Sequence, residues 1–224
     1  MKTVGSSCFL FLSLALLFVA FSKVSAGIGT ALFFIHPAIT VLLAWQIFGA
    51  RPTLLRFAVI ITVFSGSFLV APSFTSAMDN HTLLGVGAGL AAGGAYAAYG
   101  VLAQICFQEI HPVPFTVASL FIMLVLSIIS IFLVNIDVEP TMWFPLWVAS
   151  FVAAVLTLIG QLLINFGIHL SNASLTSLVG ASNPALTALF AWLLIQEALQ
   201  GRQIVGILFI TLGVATLGIE QIRR

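Results

Sequence analysis

Charge is almost absent from long stretches of this chain, and that limits its fold more than any motif does. Of 224 residues, seven are Lys or Arg and six are Asp or Glu. Nearly all of them stand outside eight apolar runs, near residues 5–22, 26–48, 55–72, 83–106, 114–135, 143–167, 171–195 and 202–219. A helix crosses a hydrocarbon core with about 20 apolar residues at ~1.5 Å each, and the runs are of that order. In lipid only helices and closed barrels satisfy their backbone polar groups. Barrel strands alternate apolar and polar positions, whereas these runs are continuously apolar. The sequence therefore predicts an all-α integral membrane protein with about eight transmembrane helices. Its 61% hydrophobic and 6% charged residues agree, since a soluble domain carries about a quarter charged. A net charge of +1 gives no electrostatic case for nucleic acid as a partner. Cys8 and Cys106 lie far apart in apolar runs and fit neither a disulfide framework nor a metal site.

The basic residues set an expected orientation. With eight spans, Lys2, Arg51, Arg56, Arg223 and Arg224 fall on one side, Lys23 and Arg202 on the other. That asymmetry places both termini in the cytoplasm of a cell-membrane protein. A second reading of the first run stays open. Lys2, the run FLFLSLALLFVAF and the small-residue end KVSAG also have the pattern of a signal peptide cleaved after Ala26. Cleavage would leave every later span as placed.

Two segments repeat. His36–Trp45 reads HPAITVLLAW and Asn183–Trp192 reads NPALTALFAW. From the proline onward six of nine residues are identical, at an offset of 147 (184 − 37). The copies sit in the second and seventh spans. Five spans apart, they cross the membrane in opposite directions, which is a recurring construction of transporters.

These segments carry a resemblance. HPAITVLLAWQIFGA and NPALTALFAWLLIQEA resemble the fourth helix of the EamA-like repeat, from the drug/metabolite transporter superfamily. The helices that follow, LLRFAVIITVFSGSFLV and RQIVGILFITLGVATLG, keep Gly66 and Gly213 in register. The resemblance implies an inverted-repeat transporter bundle. Residues 1–75 would hold three helices of a partial first repeat, and residues 82–220 the five helices of a complete second. Two departures stand out. The family's Gly-Glu helix end is split between Gly49-Ala50 and Gln196-Glu197, and the family's first two helices have no counterpart. The second departure leaves room for a homodimer or a partner subunit.

Candidate site residues follow from polar groups inside apolar spans. Pro37 and Pro184 stand mid-span and are expected to break their helices. Each lacks the amide that would serve the carbonyl four residues back, Phe33 and Gly180 respectively. Such breaks persist where protein or a wet cavity surrounds them. His36 and Thr40 share a helical face, as do Asn183 and Thr187. His36 is a titratable side chain deep within a span, a default functional candidate, although a histidine bonded to a backbone carbonyl is the plainer reading. Gln161 and Asn165 lie four apart in the sixth span, either lining a cavity or bonding between helices. Tyr96 and Tyr99 add rings with polar tips. Gly85, Gly89 and Gly93 recur every four residues and predict close helix packing rather than a phosphate loop.

The expected function is ATP-independent transport of a small organic solute, such as a metabolite, amino acid or drug, by alternating access. The contrasting expectation is a truncated, non-transporting subunit that pairs with another membrane protein. Lipid and solute are the expected partners. Neither catalysis, a cofactor nor a metal site is indicated.

Overall fold

The computed structural model describes residues 2–24, 26–49, 52–70, 80–133, 143–183, 185–186, 189–190, 193, 196 and 201–222. Among them the secondary structure is helical, with no strand. The helices are α1 (Lys2–Lys23), α2 (Ala26–Phe33), α3 (His36–Phe48), α4 (Leu54–Val70), α5 (Asn80–Cys106), α6 (Pro112–Leu133), α7 (Trp143–Leu170), α8 (Ala173–Gly180) and α9 (Gly201–Ile222). Among the described residues, five stretches are long and apolar enough to span a bilayer: Lys2–Lys23, Ile28–Phe48, Asn80–Cys106, Pro112–Ser130 and Leu146–Leu170. The apolar helices of α4 and α9 are shorter. The molecule is an all-α membrane protein, as its charge pattern requires.

α5 is the central helix. It packs against α1, α2, α3, α7 and α8. Its partner α1 runs antiparallel to it, and two serines fix the register. Ser6 Oγ donates to the Tyr99 carbonyl at 3.2 Å, and Ser13 Oγ donates to the Ala92 carbonyl at 2.8 Å. Seven residues along α1 thus match seven back along α5. A hydroxyl bonded to a neighbouring backbone joins helices effectively in lipid, where apolar contact alone gives little preference. The Lys2 ammonium meets the Glu109 carboxylate at 2.8 Å, while Lys23 lies 3.4 Å from His81 Nδ1. Lys2, donating to Glu109, holds that carboxyl below its ordinary range, although both side chains are exposed and the pair is screened by water and salt.

The glycine stripe of α5 faces the chain segment that follows α1. A Cβ built on Gly85 would lie 2.8 Å from Lys23 Cβ, one on Gly89 3.0 Å from Leu32 Cβ, and one on Gly93 2.6 Å from the Phe33 carbonyl oxygen. These approaches bring the α2 backbone close enough to α5 to exclude side chains of any size from the seam.

The repeat is visible in the backbone. α2 ends in a turn at Phe34–Ile35, and α8 ends in a turn at Ala181–Ser182, 147 residues later. α2 and α8 share that offset at both ends, and α4 and α9 share it at their starts, Leu54 and Gly201. α4 and α9 pack against each other with interchanged partners. A Cβ on Gly66 would meet the Gly206 oxygen at 2.7 Å and Ile210 Cγ1 at 2.8 Å; one on Gly213 would meet Val63 Cγ2 at 2.7 Å and Val59 Cγ1 at 3.7 Å. Gly66 corresponds to Gly213, Val59 to Gly206 and Val63 to Ile210, so the interface maps onto itself when the copies are exchanged.

Among the described residues, the same offset relates the two that are left-handed. Gly49 caps α3 at φ 68°, and Gln196 stands at φ 56°. A residue with a Cβ is destabilised by about 1 kcal/mol or more there, a cost that glycine avoids. Gln196→Gly should therefore stabilise the protein by about 0.5–1 kcal/mol. Thermal denaturation in detergent is the measurement, and a lowered midpoint would contradict the left-handed placement.

Candidate functional site

The site begins at the first helix break. Pro37 has no amide, so the helix cannot continue across Phe33 without loss. The chain instead turns at Phe34–Ile35 and starts a new helix, with Pro37 in its first turn. Proline is well placed there, because its missing amide is one that a first turn leaves unserved in any case. Backbone bonds of 3.1 and 3.3 Å run from the Ala38 and Ile39 amides to the Ile35 carbonyl and start α3. The second break is made in the same way around Ala181–Ser182. Ser182 N donates to the Val179 oxygen at 3.0 Å, and Leu186 N to the Ser182 oxygen at 3.1 Å. Pro184 and Thr187 lie outside the described residues.

His36 therefore stands at a helix start in the middle of an apolar segment. It is 4% exposed, and its Nδ1 has no hydrogen-bond partner. Its ring lies among aromatic rings: Tyr96 at 4.9 Å, Phe33 at 5.0 Å and Phe34 at 5.8 Å between centroids. Thr40, one turn on, donates its hydroxyl proton to the His36 carbonyl at 2.7 Å. Tyr96 leads on to Tyr99, 5.8 Å away on α5.

Tyr99 opens a buried polar chain. Its hydroxyl donates to Asn165 Oδ1 at 2.8 Å; Asn165 Nδ2 donates to Thr116 Oγ1 at 2.8 Å; Thr116 Oγ1 donates to the Pro112 carbonyl at 2.7 Å. Asn165, Thr116 and Tyr99 are 0%, 1% and 1% exposed. A phenol has one proton, and Asn165 receives it. The same hydroxyl lies 3.4 Å from Gln161 Oε1, a second and more distant acceptor.

The structure thus brings six of the expected residues into one strip. His36 and Thr40 come from α3, Tyr96 and Tyr99 from α5, Gln161 and Asn165 from α7. Asn183 is exposed at the second break. Gly85, Gly89 and Gly93 lie on the α2 side of α5 and shape the approach to the Phe33 carbonyl. The side chains of Thr116, Phe33 and Phe34 also belong to the strip, and sequence reasoning missed them. Thr116 is 49 residues from Asn165 and carries no local signal. Phe33 and Phe34 are legible only as residues preceding a proline break. The strip contains no carboxylate or ammonium group, and among the described residues no cluster of three or more His, Cys, Asp or Glu could hold a metal.

Helices broken mid-span beside buried polar groups, on a frame of elements repeated at one offset, fit a class: multi-pass helical membrane proteins of transporter architecture. Comparison with known proteins narrows it. The model of the EamA-like transporter family matches residues 83–219, and the chain belongs to that family. A protein of Synechocystis sp., named as an uncharacterized transporter, is 40% identical over 221 residues, covering 99% of this chain and 67% of the relative. A crystal structure of a protein 16% identical in sequence shares the fold with a TM-score of 0.81, covering 96% of this chain and 76% of that one.

Proposed function

We propose that this protein is a secondary transporter, independent of ATP, that moves a small organic solute through the cell membrane by alternating access. Both termini lie in the cytoplasm in this reading. Residues 1–75 act as a partial first repeat and residues 82–220 as a complete second. The solute binds at the His36–Tyr96–Tyr99 strip, with Thr40, Gln161 and Asn165 in support, and the repeat adds Asn183 and Thr187 as further binding residues.

One observation carries the reading. Two breaks, related by the repeat offset, interrupt α2–α3 and the helix begun by α8, and one of them stands beside a buried imidazole nitrogen with no partner. Folding stability does not favour such an arrangement, since buried polar groups are ordinarily paired. A ligand that pairs with it in one state of a cycle gives it a reason. Membership of a transporter family supports the same conclusion.

A second reading concerns completeness. Every described residue from Leu146 to Ile159 on α7 is exposed, on all sides of the helix. Transport in this case uses further helices alongside α7, from a second copy or a partner subunit.

The test is flux in reconstituted vesicles, normalised to folded protein, across a panel of amino acids, amines and aromatic metabolites. At least one solute should cross faster than in empty vesicles. Its flux should fall at least tenfold in Tyr96→Ala, while Phe64→Ala, on an exposed face of α4, keeps it. Equal flux in Tyr96→Ala would remove the strip as the site.

A further inference from the structure

We propose that the solute taken by this site is an uncharged planar ring compound bearing a hydrogen-bond donor such as a ring N–H, and that His36 Nδ1 is the acceptor it reaches. The proposal rests on the transport reading above and names the solute class for the same strip.

Shape is the first argument. The rings of Phe33, Phe34 and Tyr96 stand 4.9–5.8 Å from the His36 ring, at the spacing of aromatic packing. Faces and edges of that kind are filled well by another flat ring. Tyr96 and Phe33 are half-buried, whereas His36 itself is covered.

Charge is the second. No side chain in the strip carries a carboxylate or an ammonium group. An ion entering it sheds its hydration without gaining a counter-charge, and that loss exceeds anything the neutral groups return. Anionic and cationic solutes are thus disfavoured alike.

The third argument fixes the donor. The helix break itself leaves an acceptor beside His36. Pro37 offers no amide to the Phe33 carbonyl. Thr40 has already given its proton to the His36 carbonyl. Nδ1 has no partner, and because an orphaned buried N–H is rarer than an unserved acceptor, we assign it the lone pair and Nε2 the proton. A solute that donates satisfies this set, and one that only accepts does not.

The experiment measures equilibrium binding to purified full-length protein, corrected with protein-free micelles, for four ring probes. Indole is neutral and has an N–H; 1-methylindole lacks it; indole-3-acetate is an anion; tryptamine is a cation. Indole should bind at least tenfold more tightly than each of the others. His36→Phe keeps a ring and removes Nδ1. It should fold with at least wild-type thermal stability, lose at least tenfold in indole affinity and leave 1-methylindole unchanged. Equal binding of indole and 1-methylindole by the wild type overturns the donor assignment, and tighter binding of either ion overturns the uncharged class. Both of these outcomes are measured on the wild type and do not need the variant to fold. Failure of the two readings is separable. If no probe binds but flux of another solute depends on His36 and Tyr96, the solute class is wrong and the site stands. If the probes bind equally to wild type, His36→Phe and Tyr96→Ala, the site itself is misplaced.

Discussion

Gly93→Leu should yield little or no folded protein. A Cβ at this position falls 2.6 Å from the Phe33 carbonyl oxygen and 3.0 Å from Ile35 Cγ2. The first of these is backbone at a helix break, so no side-chain rotation relieves it. Either α2 moves away from α5 or the break is rebuilt. Inserting bulk into a packed seam costs about 1–3 kcal/mol where side chains can adjust, and more where they cannot. A loss of about 3 kcal/mol or more is expected here, a large part of the stability of an ordinary domain. Gly87, nearly two turns away on another side of α5, has nothing within 4 Å of an added Cβ and is exposed. Gly87→Leu should therefore express and melt like wild type. The comparison uses fluorescence-detected gel filtration in detergent, followed by thermal denaturation. Equal behaviour of the two variants would mean that α2 does not lie against the glycine stripe.

That contrast marks what a sequence can and cannot disclose in a membrane protein. The glycine stripe is visible because small residues every four positions have few other uses within a span. Its partner is not, since nothing in GVGAGLAAGG says which helix lies opposite. The all-helical membrane class is legible because lipid tolerates so few alternatives, although only five of the eight expected spans are long and apolar enough among the described residues. Pro37 locates the first break to within two residues, although the structure starts a new helix there instead of bending one. The repeat predicts that break's counterpart, and the shared left-handed geometry of Gly49 and Gln196 extends the correspondence to a position where the residue types differ. His36, Tyr96, Tyr99, Gln161 and Asn165 can be picked out one by one as polar groups in apolar surroundings. Their assembly into a strip depends on the antiparallel register of α1 with α5 and on how α7 meets α5, which are tertiary facts. Thr116 escapes altogether. A threonine near the start of a helix usually bonds its own backbone, and Thr116 does so with Pro112; its second bond, from Asn165, is made across helices.

Asn165 is where that hidden assembly is most open to measurement. Its amide uses both ends at once, accepting from Tyr99 and donating to Thr116, at 0% exposure. In Asn165→Leu the Tyr99 hydroxyl loses its acceptor and must either turn toward Gln161 or stay unpaired. Unpaired buried groups cost about 1–3 kcal/mol, while bonds between membrane helices average nearer ~0.6 kcal/mol. A destabilisation of about 2–3 kcal/mol is expected for Asn165→Leu. Tyr99→Phe removes one donor and leaves Asn165 Oδ1 without it, for about 1–2 kcal/mol. The double variant is the informative one. With both polar partners gone the seam between α5 and α7 becomes apolar, and apolar replacement of a whole pair is close to neutral. Its loss should fall short of the sum of the single losses by about 1 kcal/mol or more, the signature of directly coupled residues. Denaturant unfolding of the four proteins in one detergent gives the cycle. Additive losses would show that the two residues do not share a bond. The polar strip would then be a set of separate groups rather than the connected wall on which the proposed site rests.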